Sequence, residues 1–250
     1  MKRDCGLQDE TLKILSSATI YVASDIHFPY QDDKAVNAFL KAIEEGKPDI
    51  IVLNGDLLDF YKLSKFSKDP TGKNPEEEIE ICKEFLERLR KIAGQNPRIY
   101  YTIGNHESRL RKYILDNAPM IASLMDSVFT LLSLEDYDMV GCSSLIVNDT
   151  FVFKHGTRLG NKSGLSAIKE LEAHYMSGAS GHVHRLARYS VRKAKKRFVW
   201  LETGCLCSLD PEYMIDPDWE QGYGVIKFKN GKFFDAQVIS IKDGEIIKYD

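Results

Sequence analysis

Short apolar runs alternate with amphipathic stretches through the first half of this 250-residue chain. The run 49–54 is apolar between its polar ends, which is typical of a central strand covered on both faces. Apolar residues at helical spacing follow Asp32-Asp33 and Asn74-Pro75, two pairs that suit helix N-termini. In the second half, short β-type runs dominate. This order predicts an α/β fold, with two packed sheets and helices outside them, in a single domain over 1–250.

The predicted elements cover most of the chain. We expect strands at 19–24, 49–54, 98–103, 144–147, 151–154, 177–180, 186–192, 197–203, 223–229 and 233–241. We expect helices at 32–46, 74–94, 108–127 with a break at Pro119, and 163–176. Residues 1–18 are predicted to be a polar lead-in with a short helix around Asp9–Leu15, and residues 206–222 a tail loop.

Composition narrows the functional classes. The net charge of -3 gives no global field that would attract nucleic acid or a membrane, although a local patch can do so. No run approaches the roughly 18 apolar residues needed to span a bilayer, and no signal-peptide core follows Met1, so we expect a cytoplasmic protein without membrane contact. The five cysteines are odd in number and scattered, which favours reduced thiols. Cys205-Leu-Cys207 is a candidate metal or redox pair, but no partner pair lies near it in the sequence.

Five predicted strands end in residues that bind metals. The segments are Ser24-Asp25-Ile26-His27, Gly55-Asp56-Leu57-Leu58-Asp59, Gly104-Asn105-His106-Glu107, His155-Gly156 and Gly181-His182-Val183-His184. Five of the six histidines of the chain lie in these segments. On a regular strand Asp25 and His27 would face the same side, as would His182 and His184. Because strand ends meet at one edge of an open α/β sheet, these carboxylates and imidazoles predict a site there for Mn, Fe, Zn or Ni.

In that order, the five motifs resemble the calcineurin-like metallophosphoesterase superfamily over about residues 20–205. The tail at 201–213 and 219–222 is similar to a bacterial and phage-type subgroup of unassigned substrate, although the turn near Gly204 departs from the Asn-Pro-Gly-Ser type common in the family. The resemblance implies a four-layer αββα sandwich with a two-metal site. The implied ligands are Asp25, His27 and His184 for the first metal, Asn105, His155 and His182 for the second, and Asp56 as a bridge between them.

The resemblance also implies the reaction. Two divalent ions, with Mn favoured, would hydrolyse a phosphate ester through a hydroxide that bridges them. His106 matches the family's catalytic histidine that is not a ligand, and Asp59 matches the carboxylate that orients it. Glu107 is interpreted as structural.

The motifs leave the substrate open. Asp59 is followed by Phe60 in place of the arginine of the protein phosphatase branch, which weakens that interpretation. Arg109 and Arg158 are candidate phosphate contacts or exposed arginines. The segment Arg185 to Arg197 has seven basic residues in thirteen and none that is acidic, so it is a candidate nucleic-acid contact or a solvated hairpin with its tip at 193–196.

Three hypotheses follow from these patterns. The first is a phosphodiesterase acting on nucleic acid or nucleotide-like diesters. The second is a phosphomonoesterase acting on a small molecule or a protein. The third, of another class, is an interaction module on the same fold without catalysis. No oligomeric state is predicted.

Overall fold

The computed structural model describes residues 7–65, 72–211 and 216–247. Its strands are β1 Glu10–Leu12, β2 Ala18–Ala23, β3 Ile50–Leu53, β4 Arg98–Thr102, β5 Met139–Cys142, β6 Leu145–Val147, β7 Phe151–Phe153, β8 Ser177–Ser180, β9 Leu186–Lys193, β10 Lys196–Thr203, β11 Gly222–Lys229, β12 Phe233–Lys242 and β13 Glu245–Ile247. Its α-helices are α1 Asp33–Gly46, α2 Pro75–Ala93, α3 Glu107–Asn117, α4 Val128–Leu131 and α5 Leu165–His174. Short 3₁₀ segments lie at Tyr61–Leu63, Pro119–Leu124 and Leu134–Tyr137.

The strands form two sheets. The seven-stranded sheet has the order β13-β12-β11-β2-β3-β4-β5, in which β2, β3, β4 and β5 run parallel. The six-stranded sheet has the order β1-β6-β7-β8-β10-β9, in which β7, β8 and β10 run parallel. The parallel strands of each sheet therefore end at one edge, where side chains from neighbouring strands can meet.

The core lies between the sheets and outside each of them. Ile20 and Val22 of β2 face the second sheet, where they pack with residues such as Phe153. Their neighbours on the other face of the sheet belong to the cluster that α1 and α2 cover. On the far side of the six-stranded sheet, α5 covers Trp200. The layers are helix, sheet, sheet and helix, which confirms the predicted αββα sandwich.

Helix ends follow the local sequence closely. The side chain of Asp32 accepts hydrogen bonds from the N–H groups of Lys34 and Ala35 and caps α1. Asn74 and Glu77 form a capping box at the start of α2. The predicted end of α1 at Gly46 is confirmed, and Lys47, with left-handed backbone, follows as the C-cap.

The lead-in is more ordered than predicted. The expected short helix around Asp9–Leu15 is wrong: Glu10 to Leu12 form β1, which pairs in parallel with β6. Leu12 and Ile14 are buried with an exposed Lys13 between them, which is the period of a strand. Strands β5 and β13 were also not predicted.

The tail loop at 206–222 packs against the body of the protein. Leu206 and Cys207 are buried. Isolated backbone β-bridges pair Gln31 with Cys207 and Cys205 with Gln221. The described part of the chain leaves out residues 1–6 of the lead-in, residues 66–71, residues 212–215 of the tail loop and residues 248–250. Within the described part, no helix is long and apolar enough to cross a bilayer.

Candidate metal centre

The predicted ligands sit just beyond the strand ends. Asp25 and His27 follow β2, Asp56 follows β3, and His182 and His184 follow β8. All five have left-handed backbone, with φ between 52° and 70°. The expectation that strand alternation would align them is therefore wrong, because the strands end before these residues. Instead, left-handed turns just after the strands bring the side chains of these five residues together.

Two glycines make room for the carboxylates. A Cβ at Gly104 would collide with Asp56 Oδ1, and a Cβ at Gly181 would collide with Asp25 Oδ2. Gly55 and Gly156 serve differently, since both have positive φ at the turns that leave β3 and β7. The glycines of the motifs thus allow both close approach and sharp turning.

The first donor group joins the two sheets. Nε2 of His184 lies 3.1 Å from Oδ1 of Asp25 and 3.1 Å from Nε2 of His27. Nε2 of His27 lies 3.8 Å from the same carboxylate oxygen. These three donors are buried and within 4.8 Å of one another, as a single bound cation requires.

The second donor group also draws on both sheets. Nε2 of His155 lies 3.0 Å from Oδ2 of Asp56 and 3.1 Å from Oδ1 of Asn105. His182 completes a group with Asp56 and His155 whose donor atoms are within 4.8 Å. Nδ1 of His155 donates to the carbonyl of Asn54 at 3.0 Å, which leaves Nε2 facing the group.

Buried groups of opposite charge meet at the cluster. Burial opposes ionisation of Asp25, but His184 and His155 hold the pKa of that carboxyl well below its usual range. The pKa of Asp56 is likewise lowered, by His155 and His106 against the effect of burial. Burial would lower the pKa of His155, yet Asp56 and Asp25 raise it to about 9. Ionised carboxylates facing ring nitrogens are what a divalent cation would bind.

His106 lies beside the donor groups and is held from two sides. Its Nδ1 donates to the carbonyl of Asp59 at 2.9 Å, with Oδ1 of the same residue at 3.4 Å. Arg109 donates to the Asp59 carbonyl and carboxylate at 2.9 and 3.0 Å, and its Nη2 is 2.9 Å from Nε2 of His106. Both the backbone and the carboxylate of Asp59 therefore orient this pair. His27, Asp59 and His106 also form a third possible donor group, which overlaps the first.

Glu107 shapes the loop that carries Asp56. Its buried carboxylate accepts the hydroxyl of Tyr101 at 2.7 Å. It also accepts four backbone N–H groups, from Asp56, Leu57, Leu58 and Gly104. These contacts fit the interpretation of Glu107 as structural. They show that Glu107 holds the backbone of the loop that carries Asp56.

The predicted strand-end ligands, His106 and Asp59 thus meet at one edge of the two sheets. The model of the calcineurin-like phosphoesterase family matches residues 18–214. This chain belongs to that family. The resemblance inferred from the five motifs is confirmed, and members of the family generally hydrolyse phosphate esters with divalent metals.

The chain is also similar to two phage proteins and, in its fold, to a solved structure. The chain is 26% identical over 247 residues to the gene 54 protein of Mycobacterium phage L5, a match that covers 91% of this chain and 95% of the phage protein. The gene 54 protein of Mycobacterium phage D29 is 25% identical over 248 residues, with the same coverage. Vacuolar protein sorting 29 of Cryptosporidium parvum shares the fold, with a TM-score of 0.52, 15% identity and coverage of 93% of this chain and 95% of that one.

The residues of this family member fit divalent ions. Two nitrogen ligands about 2.1 Å from one ion would lie about 3.0–3.4 Å apart, and the Nε2 atoms of His27 and His184 are 3.1 Å apart. Nδ1 of His27 is buried without a hydrogen-bond partner among the described residues, and Asp59 Oδ2 lies 3.6 Å away from it. An ion on the opposite nitrogen would strengthen that contact.

Two contacts of His184 were not foreseen. Its Nδ1 lies 3.9 Å from the Sγ of Cys207, and its ring packs edge-on against Trp219 with centroids 4.2 Å apart. The sequence separates these residues by more than twenty positions, so only the fold brings them together. Arg158 does not join the group: its side chain is exposed, and its N–H donates to Glu170.

Proposed function

We propose that this protein is a dinuclear phosphodiesterase that acts on nucleotide-like diesters. The observation that carries the proposal is the pair of donor groups, built from both sheets and supported by every ligand type that the family motif requires. Asp25, His27 and His184 would hold one ion. Asn105, His155 and His182 would hold the other, with Asp56 between them. Mn²⁺ is the favoured ion, and Fe, Zn and Ni suit the same donors.

The bound ions would supply Lewis acidity toward the phosphoryl oxygens and lower the pKa of an attacking water. The residues of the chain supply orientation and a proton. The Nδ1 proton of His106 goes to the carbonyl of Asp59, while Nε2 accepts from Nη2 of Arg109 at 2.9 Å and faces the site, 3.7 Å from Oδ2 of Asp56. Once Arg109 turns from the ring to the phosphate, His106 would carry a proton on Nε2 and donate it to the departing ester oxygen.

A diester suits the charges near the site better than a monoester does. A monoester approaches two negative charges near neutral pH because its second pKa is about 6, whereas a diester carries one. The guanidinium of Arg109, which contacts His106, pairs with Asp59, and that of Arg185, the residue after His184, pairs with Asp218. Phe60, at the position of the missing arginine, is buried and offers no charge.

Aromatic rings border the same edge. Trp219 lies against His184 and is partly exposed. Tyr30, three residues after His27, is 42% exposed and packs edge-on with Tyr61. Such rings can stack on a nucleobase or another planar leaving group. They support a nucleotide-like diester as the substrate.

The first test compares bis-p-nitrophenyl phosphate with p-nitrophenyl phosphate on the Mn²⁺-loaded protein. We expect diester turnover to exceed monoester turnover, and Asp56→Asn to lose both activity and bound metal. His106→Ala should keep its metal and lose a factor of about 10²–10⁴ in rate. A preference for the monoester would favour the phosphomonoesterase hypothesis. A metal-loaded protein that cleaves neither ester would leave the interaction module as the better hypothesis.

A more specific version of this proposal is that the diester substrate is a nucleic acid. The segment Arg185 to Arg197 would then contact the nucleic-acid backbone. The hairpin formed by β9 and β10 carries this segment, and its turn is at Ala194 and Lys195. Three of the arginines are engaged within the protein: Arg185 with Asp218, and Arg188 and Arg197 with Asp235. The remaining basic residues lie toward the tip, so nucleic acid would have to extend along the hairpin from the site.

A further inference from the structure

Two buried thiols lie next to the candidate metal centre, on the Nδ1 side of the His184 ring. Cys205 and Cys207 are free, with exposed fractions of 0% and 3%. Their sulfur atoms and one ring nitrogen of His184 all lie within 4.8 Å of one another. The Sγ of Cys207 is 3.9 Å from Nδ1 of His184, on the opposite side of the ring from the first donor group. The sequence shows no further ligand near Cys205 and Cys207, and in the fold His184 lies beside them as a third possible ligand.

The backbone around the thiols is fixed on both sides. Cys205 donates its N–H to the carbonyl of Glu220 at 3.0 Å, and its carbonyl accepts the N–H of Gly222 at 3.1 Å. The side chain of Gln221 donates to the carbonyl of Cys207 at 2.9 Å. Leu206, between the two cysteines, donates its N–H to the carbonyl of Asp25 at 3.0 Å. The sulfur atoms are therefore held in place next to a residue of the metal centre.

The spacing suits a tetrahedral soft ion. Zinc–sulfur bonds of about 2.3 Å and zinc–nitrogen bonds of about 2.0–2.1 Å place neighbouring ligand atoms about 3.4–3.8 Å apart. The observed 3.9 Å between sulfur and nitrogen is close to that range. Thiolate ligands select soft ions such as Cu⁺ and Zn²⁺, whereas carboxylate-rich sites accept Mn²⁺. The two sides of His184 thus present donors of different softness.

We propose that Cys205, Cys207 and Nδ1 of His184 form a site for a thiophilic cation, and that its occupation inhibits the enzyme. The thiols lose their two protons to solvent when the ion binds. A neutral imidazole has one nitrogen lone pair for coordination. When Nδ1 binds the soft ion, its proton moves to Nε2, and His184 can no longer serve as a ligand on the Asp25 side. Binding of the soft ion therefore competes with the first metal of the catalytic pair.

The test uses Cd²⁺ as a spectroscopic probe on the Mn²⁺-loaded full chain. Every protein carries Cys5→Ser, because Cys5 lies outside the described residues. The Cys205→Ala and Cys207→Ala variants are compared with the parent, and Cys142→Ala, a buried cysteine in the core between the sheets, is the matched control. Thiolate-to-Cd²⁺ absorption in the ultraviolet reports binding without reference to turnover. Released Mn²⁺ and the ratio of activity with and without Cd²⁺ are measured in parallel.

We expect the parent and the Cys142 variant to show the thiolate band, to release Mn²⁺ and to lose at least tenfold in activity. Both site variants should lack most of the band and need at least tenfold more Cd²⁺ for the same inhibition. Equal bands in all four proteins, or no band in the parent, would overturn the site. A band without release of Mn²⁺ would overturn the competition. Since the band and the metal release need no substrate, they remain decisive even where the proposed diesterase activity fails.

Discussion

At the scale of single residues, the metal centre concentrates backbone strain. A left-handed conformation costs a residue with a Cβ roughly 1–2 kcal/mol, and five of the proposed ligands adopt it. Such strain persists where the surroundings fix the backbone. Here the N–H of His182 is bound by both carboxylate oxygens of Asp25, and the N–H of Asp56 by Glu107. Polar side chains of the site itself hold the strained turns.

The protonation of His155 should make metal binding depend on pH. With a pKa raised to about 9, this ring is an imidazolium at neutral pH in the metal-free protein. The pairing of His155 with Asp56 stabilises the folded protein. This stabilisation is complete at a pH below 6.5, the ordinary pKa of histidine, and is lost as the pH rises through about 9, the raised pKa of His155. A metal must displace that proton. The apparent affinity for Mn²⁺ is therefore expected to rise up to tenfold per pH unit between about 7 and 9.

Calorimetry in buffers of different ionisation enthalpy measures the proton release. His155→Gln is the control, since it lacks the titrating ring, and it should release fewer protons per metal bound. An affinity that is flat over this range, with no proton release from the parent, would contradict the charge state assigned to His155.

Removing one oxygen of Glu107 should destabilise the fold. In Glu107→Gln an amide NH₂ would face backbone N–H donors that the carboxylate now satisfies, and an unsatisfied buried donor costs about 1–3 kcal/mol. Tyr101→Phe is the milder comparison, because it removes one hydrogen bond of the same carboxylate, worth about 1 kcal/mol. Denaturant unfolding of metal-free protein gives both free energies. A Glu107→Gln variant as stable as the parent would show that the carboxylate does not anchor the Asp56 loop.

At the scale of elements, the sequence predicted most strands and helices but not how their ends are shaped. The strand ends at Asp25, Asp56 and Asn105 followed from apolar runs and the motifs after them. Their convergence was assigned to strand alternation, and left-handed turns produce it instead. The turn conformation depends on hydrogen bonds from distant residues such as Glu107, and no local pattern reports these. Strand β1 was not predicted for the same reason, because it depends on pairing with a strand that begins more than 130 residues later.

The hairpin of β9 and β10 offers a test of nucleic-acid binding at this scale. β9 has eight residues, so its tip lies about 23 Å from its first residue next to the metal centre. Changing Lys193, Lys195 and Lys196 to Glu should weaken single-stranded DNA binding and reduce its dependence on salt. Turnover of bis-p-nitrophenyl phosphate should not change, because the tip is remote from the site.

The matched control changes Lys41, Lys91 and Lys112 to Glu, which alters the net charge equally on exposed helical positions. Fluorescence anisotropy with labelled DNA at several salt concentrations measures both sets. Equal weakening in the two triple variants would indicate a general charge effect, and unchanged binding in the hairpin variant would leave the hairpin a solvated surface.

At the scale of the whole molecule, the metal centre ties the two sheets together. Asp25, His27, Asp56 and Asn105 follow strands of the seven-stranded sheet, and His155, His182 and His184 follow strands of the six-stranded sheet. The α/β fold with two packed sheets was predictable from the order of apolar runs, and the family resemblance supplied the αββα layers, because apolar runs and motifs are local in the sequence. The contacts of His184 with Cys207 and Trp219 were not predictable, because they form only when loops that are far apart in the sequence meet in the fold.

Metal loading is therefore expected to stabilise the protein as one unit. At a free Mn²⁺ concentration of about 100 times Kd, binding adds about 2.7 kcal/mol. For a chain of this size that raises Tm by roughly 5–10 °C. Because each proposed ion would be held by ligands from both sheets, hydrogen exchange should slow at the ends of β3 and β8 together. Differential scanning calorimetry and hydrogen exchange with and without EDTA measure the two effects, and Asp56→Asn, which removes the ligand shared by both ions, should abolish both. Protection confined to one sheet, or a Tm shift that survives in the Asp56 variant, would contradict ligation across the sheets.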